Sequence, residues 1–464
     1  MGEKAIKDKC GVFGIFGVDN PAEYTYLGLH NIQHRGQETC GIVTSSEEKK
    51  ESKGKFKQYH GKGIVNDVFN EKILEKLNGR AAIGHVRYST RGGSSLNNAQ
   101  PIIVSTKNGV IAIAHNGQFA NYKRLKRELI EKGSIFKTTS DTEIALHKFS
   151  KSNADSIKEN IYEAFKDIKP SYSIVMLTKK ELIGLRDSSG VRPLVIGYIE
   201  DKDAYVLASE SVAFDIIGAK YIGEVKSGEI VIIDDNGLRR EQLFNPGKQQ
   251  RCIFECIYFS RPDSFVFSKD ITISVARKEF GRQIYRECPV DADVIIPVPD
   301  SSIDAALGYS YESKIPFDWG FVRNHYIGRT FIQPTQTKRD VGVIKKFNPN
   351  KSIVDGKRVV VVDDSIVRAS TLKKLIKLLR KFGAKDIHVA ISCPPYKYSC
   401  YLGIDTSEKE KLIANEKSIE EIKNFIDADS LHYLSKQGML DNKYLREGGF
   451  CTYCFDGEEV IKRE

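Results

Sequence analysis

The sequence predicts two unlike folds in tandem: an α+β unit of layered sheets with helices packed outside, followed by an α/β unit on a parallel sheet. Three observations predict this. The first half carries short segments of alternating apolar residues, interrupted by helical periodicity. The second half carries continuous apolar runs, the stronger one followed by a turn and a helix. Between them, residues 234–250 read DDNGLRREQLFNPGKQQ, a lapse into turn formers and charge that marks a boundary.

Taken in order, strands are predicted over 11–16, 111–114, 173–177, 204–208 and 229–233, and helices over 122–132 and 141–148. Past the boundary, the runs 294–298 and 359–362 suit strands buried on both faces of a parallel sheet. After the second run come a turn and a helix over 371–382, closed by Gly383 in the position past the helix end. Strand, loop and helix in that order make a phosphate-binding unit of a doubly wound α/β domain. The last stretch, 419–464, reads as helical and then irregular. The expected division is 1–9 as a leader, 10–235 as the first domain and 250–464 as the second.

Composition excludes several classes. Of the 464 residues, 41% are hydrophobic and 28% charged, ordinary for a soluble globular chain. No stretch approaches the roughly 20 apolar residues of a membrane span. Residues 1–9 are polar and lysine-rich without an apolar core, so no secretory signal is expected and the expected location is cytoplasmic. The net charge of +10 is spread along the chain, which suits a pocket for a phosphorylated small molecule as well as it suits nucleic acid. The nine cysteines are odd in number, against a disulfide framework and for thiol chemistry or a metal site.

The most informative segment is VVVVDDSIVRASTL, 359–372. Four valines deliver Asp363 and Asp364 to the carboxyl edge of the sheet, where ligands of open α/β sheets bind. Residues 365–371 then turn into a helix start, where backbone N–H groups favour an anion and Ser365, Ser370 and Thr371 offer hydroxyls. The plainer reading, an acidic pair that ends a strand and caps a helix, is the weaker one even for this segment alone. It is accompanied by VPDSS at 298–302, a second hydroxyl-bearing strand end, and by 324–346, which supplies Arg329, Lys338, Arg339, Lys345 and Lys346 on a loop able to close over a pyrophosphate.

Residues 359–372 resemble the phosphoribosyl pyrophosphate (PRPP) motif of type I phosphoribosyltransferases. With VPDSS, GRTFIQPTQ and YFSRPDS (258–264), they are similar to the synthase half of the amidophosphoribosyltransferase family. The resemblance implies that Ser301, Asp363 and Asp364 hold Mg²⁺ with the substrate, and that Arg329, Lys346, Ser365, Ser370 and Thr371 bind PRPP. Two positions depart from the family. Ala369 stands where glycine is usual, so the phosphate loop is expected to need an unstrained backbone there. Arg323 and His325 replace the usual Lys and Arg.

In the first half, Cys10 opens CGVFGIFG; alone, a cysteine at a strand start is a small buried hydrophobe. It is accompanied by HNIQHRGQETCGI (30–42), IGHVRYSTRG (83–92), AHNGQFAN (114–121) and TSDTE (139–143). Together these resemble the N-terminal-nucleophile glutamine amidotransferase domain over residues 10 to about 235. The resemblance implies Cys10 as nucleophile, Arg87 for the glutamine carboxylate, Asp141 for its α-amino group, and Asn116 with the Gly117 N–H as oxyanion hole. A free amino acid needs one cation and one anion to be read, in agreement with that pair. The family's RDPxGxRPL pattern appears as RDSSGVRPL, with Ser188 for proline. A thiol of pKa about 8.5 is matched by an α-amino group at about 7.7–8.0, whereas a peptide nitrogen has no available lone pair. Residues 1–9 are therefore expected to be a propeptide whose removal exposes the Cys10 amine.

The expected activity converts glutamine, PRPP and water to 5-phosphoribosylamine, glutamate and pyrophosphate, the first committed step of purine synthesis, with ammonia passed between two sites. Family resemblance further implies inhibition by purine nucleotides and a homotetramer, with neither nucleic acid nor membrane as partner. A glucosamine-phosphate or asparagine synthase would not need the acidic segment after Val362. A PRPP-sensing, nucleic-acid-binding regulator would not need Cys10 and its companions. Finally, FCTYCF places Cys451 and Cys454 at a spacing that lets two thiolates bind one metal centre. Spacing leaves the other two sulfurs open among Cys40, Cys252, Cys256, Cys288, Cys393 and Cys400. The resemblance, to a branch with propeptide and cluster, implies Cys252, Cys400, Cys451 and Cys454 around a [4Fe–4S] centre.

Overall fold

The computed structural model describes residues 10–46, 55–88, 96–107, 109–324, 347–404, 406, 409–445 and 448–461. Residues 1–9 and the loop residues Arg329, Lys338, Arg339, Lys345 and Lys346 lie outside the described residues.

Among the described residues the first half supplies thirteen strands: β1 (Cys10–Phe16), β2 (Thr39–Ser46), β3 (Lys55–Lys62), β4 (Ala81–Arg87), β5 (Ile102–Thr106), β6 (Gly109–Gly117), β7 (Tyr172–Leu177), β8 (Leu182–Arg186), β9 (Val195–Ile199), β10 (Ala204–Ala208), β11 (Lys220–Glu224), β12 (Glu229–Asp234) and β13 (Gly237–Gln242). They form two sheets, β11-β9-β10-β1-β4-β2-β3 and β13-β12-β8-β7-β6-β5. Three apolar layers hold them. Val12, Ile83, Ala112, Val175 and Leu207 pack between the sheets. Phe13, Leu29 and Ile42 lie outside the first sheet, beneath the helix Pro21–Asn31. Ile113, Phe149 and Ile161 lie outside the second, beneath Tyr122–Glu131, Thr142–Lys151 and Ile157–Phe165. Because each sheet is covered on both faces, β1 and β7 are buried along their whole length instead of alternating.

The stretch 234–250 is only partly a connection. Its turn formers close a hairpin: Asp234 pairs with Gly237, and the Asn236 N–H donates to the Asp234 carboxylate at 2.8 Å. The charged GLRREQ that follows is β13, an edge strand whose charges guard an open sheet edge.

The second half is built on β15 (Val294–Pro297), β18 (Arg358–Asp363), β19 (Asp386–Ile391) and β20 (Ser430–Tyr433), side by side and all parallel. The valines of β18 are buried on both faces, each contributing about 1.5–3 kcal/mol of transfer free energy. The helix that follows spans Ser370–Lys381, with Gly383 just past its end at φ +94°. Residues 419–461 are more regular than expected. Helix Ile419–Ile426 is capped by Ser418 and Glu421, and it leads into β20, an edge strand mostly half-buried and lacking an apolar run to announce it. β14 (Arg251–Cys252) and β21 (Phe450–Cys451) make a separate parallel pair. No helix among the described residues is long and apolar enough to cross a membrane.

Candidate active sites

The first site is assembled by strand register. In the antiparallel pair β1–β4, Cys10 stands opposite Arg87, and Thr39 of β2 flanks Arg87 on the other side. Alternation does the rest. Val12 and Ile83 face the layer between the sheets, as do Ala112 and Ala114 from β6, so Cys10, Arg87 and Asn116 continue those inner faces. A cleft at this end is lined by Cys10, Arg87, Gly117 and Asp141, with Gln100, His115 and Tyr122. Thus four of the five expected glutamine-site residues share one cleft. Asn116 is fully buried behind it; its Nδ2 reaches Ser209 Oγ at 3.5 Å, and its Oδ1 has no hydrogen-bond partner.

Two groups of opposite charge line the cleft. Arg87 is 5% exposed and its Nη1 is buried with no hydrogen-bond partner among the described residues, a costly state for a guanidinium. Asp141 precedes the helix Thr142–Lys151; one oxygen accepts the Phe119 N–H at 2.8 Å, and the other lies 3.7 Å from His115 Nδ1. Gly117 has φ +145°, and a Cβ there would meet the Ser171 carbonyl at 2.4 Å, so only glycine fits.

Sequence reasoning missed the polar layer beneath these groups. Ser209 Oγ accepts the Val12 N–H at 3.0 Å, and Gln100 accepts the His115 N–H at 2.8 Å. His85 hydrogen-bonds the His115 carbonyl at 3.1 Å; burial pushes it down to about 3, so it is neutral and adds no charge beside Arg87. A polar residue within an all-buried strand such as β4 is the one local signal for His85; Ser209 and Gln100 had none.

The second site is also set by register. Val294–Pro297 runs parallel to Val359–Val362, which places the PDSS and DDS segments together at the carboxyl ends of β15 and β18. Ser301 and Ser365 donate their hydroxyls to the Asp364 carboxylate, and Ser302 donates to Asp363 Oδ1 at 3.1 Å. Burial, then the neighbouring Asp364 charge, holds Asp363 well above the usual carboxylate range. Asp364 is raised by burial, against the pull of Ser301, Ser365 and Arg277. A buried carboxylate, Asp364, beside the half-buried Asp363 makes a hard-oxygen set of the kind Mg²⁺ takes. Arg323 is committed to an ion pair with Asp300.

The helix Ser370–Lys381 starts without a side-chain cap, leaving its first N–H groups to an anion. Ala369 before it has φ +60°, so the unstrained backbone expected there is not found. The alanine is held in the left-handed region because the loop's path to the helix start requires it.

The four cysteines proposed by resemblance are neighbours. Cys252 and Cys451 stand side by side across β14–β21, and Cys454 lies within electrostatic reach of Cys451, Cys400 and Cys252. Cys400 Sγ accepts the Leu402 N–H at 3.3 Å. Burial holds Cys252 and Cys454 well above the usual thiol range, and pushes Cys451 up to about 12 against a hydrogen bond from the Tyr453 N–H. An all-sulfur donor set suits an iron–sulfur cluster or zinc. Among the described residues, no three His, Cys, Asp or Glu side chains gather around a single ion position.

The comparisons with known proteins match both halves of the chain. A family model for the glutamine amidotransferase domain matches residues 85–215, and one for the phosphoribosyl transferase domain matches 274–429. Fold and matches together define a glutamine amidotransferase joined to a phosphoribosyltransferase. The amidophosphoribosyltransferase of Bacillus subtilis is 44% identical over 460 residues, covering 98% of this chain and 94% of that protein. The chloroplastic amidophosphoribosyltransferase 1 of Arabidopsis thaliana is 46% identical, covering 98% and 79%. The solved B. subtilis glutamine PRPP amidotransferase, complexed with ADP and GMP, superposes with a TM-score of 0.90 at 43% identity, covering 98% of each chain. The chain belongs to the amidophosphoribosyltransferase family.

Two outcomes are expected at the second site. Asp364→Asn should lower PRPP turnover at least ~10²-fold while glutaminase activity persists. The same variant should melt higher than wild type without Mg²⁺, by a margin that grows with pH. Asp364 titrates higher folded than unfolded, so its contribution is fully present below the unfolded value and is lost as pH rises through the folded one. Melting curves from about pH 4 upward check this; a margin shrinking with pH would contradict it. Ala369→Gly should stabilise the protein by about 1 kcal/mol, a rise of about 2 °C in Tm, because glycine takes the left-handed backbone without the Cβ penalty. A lower Tm would show that the loop is held otherwise.

Proposed function

We propose that Cys10 releases ammonia from glutamine and that the ammonia displaces pyrophosphate from PRPP at the second site, giving 5-phosphoribosylamine. Membership of the amidophosphoribosyltransferase family places the chain at the first step of purine synthesis. The observation that carries the residue assignment is the single cleft uniting Cys10, Arg87, Gly117 and Asp141.

Arg87 takes the glutamine carboxylate through its unmet Nη1, and Asp141 takes the α-amino group. The side-chain amide then points at Cys10. Its Sγ attacks the amide carbon, and the Gly117 N–H and Asn116 Nδ2 receive the negative charge that develops on oxygen. Collapse breaks the C–N bond and expels ammonia, the α-amino group of Cys10 having passed it the thiol proton. Water hydrolyses the thioester to glutamate and restores the thiol. This scheme needs Cys10 as first residue, so residues 1–9 are proposed to be removed.

At the second site, Ser365, Ser370, Thr371 and the helix start are proposed to hold PRPP, with Arg329 and Lys346 from the loop. Ser301, Asp363 and Asp364 are proposed to hold Mg²⁺, which supplies neutralisation of the leaving pyrophosphate when bound. The proposed units are 10–235, carried on by β13 to Gln242, and 250–464. Binding of purine nucleotides is proposed from likeness to the B. subtilis protein solved with ADP and GMP; their inhibitory action and a homotetramer are proposed from the family resemblance alone. A cytoplasmic location completes the reading.

Cys252, Cys400, Cys451 and Cys454 are proposed to bind a [4Fe–4S] cluster, supported by their mutual proximity. Anaerobically purified protein should be brown with about four irons per chain; a colourless protein with one zinc would overturn the cluster and keep the ligands.

Cys10→Ala tests the main assignment. It should abolish glutamine-dependent synthesis and glutaminase activity while ammonia-dependent synthesis continues, since the second site accepts ammonia directly. Retained glutaminase activity would refute it.

A further inference from the structure

Four buried charges at the junction of the two halves have no part in either site. Arg35 and Arg192, from the HRGQ and GVRPL segments, and Glu210 and Glu255 are all 0% exposed. Glu255 lies in the second half, on a turn of π-helix, Glu255–Phe259. Arg35 Nη1 and Nη2 donate to the two Glu255 oxygens at 3.0 and 2.8 Å, and Arg192 Nη1 donates to Oε1 at 2.9 Å.

Arg35 reaches the glutamine site, and Arg192 comes close behind it. Arg35 Nε donates to the Cys10 carbonyl oxygen at 3.2 Å. Arg192 lies behind Gly403, where a Cβ would meet its Nη2 at 3.1 Å and the Gly117 Cα at 3.4 Å. On the other side, Ser260 donates to Glu255 Oε2 at 2.8 Å, and its carbonyl accepts from Arg277 Nη2 at 2.8 Å. Arg277 is within electrostatic reach of Asp364. A second tie joins the halves: Arg35 donates to Glu210, whose other oxygen accepts the Arg261 N–H at 2.9 Å and the Ser264 hydroxyl at 2.6 Å.

Such a group is a weak stabiliser, because removing four charges from water costs about what their pairing returns. What it supplies is orientation. The Arg35 fork on the Glu255 carboxylate fixes angle and distance in a dry site, and Arg192 adds one charged hydrogen bond to it. We propose that Glu255 is a positioning residue for the glutaminase reaction: clamped by Arg35 and Arg192, it sets Cys10 and Gly117 in place from the half of the chain that consumes the ammonia. The inference rests on Cys10 being the nucleophile.

The test measures both activities of Glu255→Gln, which keeps the shape and removes the charge. A misplacement near 1 Å costs about 10²-fold, so glutaminase kcat should fall by about that factor. KM for glutamine should stay within about 3-fold, since Arg87 and Asp141 are untouched, and ammonia-dependent synthesis should continue. Glu255→Asp should recover part of the loss. Arg192→Lys, which keeps the charge but changes the reach and shape of the group that donates to Glu255, should show the same selective fall in smaller measure. Glutaminase kcat at the wild-type level in either Glu255→Gln or Arg192→Lys would overturn the clamp. So would equal loss of both activities in these two variants, which is the mark of general disruption. Cys10→Ala run alongside separates the two readings: if it retains glutaminase activity, the site assignment fails, whereas if it is dead the clamp is judged by its own variants.

Discussion

The pairing of β1 with β4 is the constraint on which the first site depends. It sets the first residue of one strand against the last residue of the other, Cys10 against Arg87. A slip of one residue would turn every side chain of β1 to the opposite face and carry Cys10 away from the inner layer. Burial prevents that slip, because Val12 and Phe16 must face the layer between the sheets and Phe13 and Ile15 the layer beneath the helix. The hydrophobic pattern that stabilises the fold therefore also fixes the distance between Cys10 and Arg87, the proposed nucleophile and substrate anchor. The second site repeats this logic in parallel strands, where the register of β15 with β18 brings hydroxyls and carboxylates to one edge.

Both sites hold groups that the folded chain alone leaves poorly satisfied. Arg87 keeps an unmet Nη1, and Asp363 and Asp364 crowd two carboxylates into a buried edge. Free energy lost in these positions would be recovered by the charged ligands proposed for them. Ala369, held at φ +60°, is strain of the same kind placed where a phosphate is expected.

Much of this was legible in the sequence, for identifiable reasons. The valine run 359–362 and the following helix are local signals, and the structure has them within a residue or so of the expected bounds. The layered first half was legible as a class, but β2, β3, β4 and the helix Pro21–Asn31 were not anticipated. β4 reads AAIGHVR, and its buried His85 and Arg87 break an apolar pattern without announcing a turn. The hairpin of β12 and β13 was taken for a boundary because the same turn formers serve both purposes. Contacts between distant parts of the chain were out of reach. Ser209 meets Val12 across 197 positions, and Arg35 meets Glu255 across 220. No pattern of spacing encodes such a pair; only the folded sheets bring it together.

Everything assigned to Cys10 requires its nitrogen to be an amine, since a peptide nitrogen offers no lone pair to take the thiol proton. The most direct measurement is the intact mass of protein that hydrolyses glutamine, with N-terminal sequencing of the same sample. The expected result is a chain beginning at Cys10, without residues 1–9. Active protein that still begins at Met1 or Gly2 would contradict the mechanism.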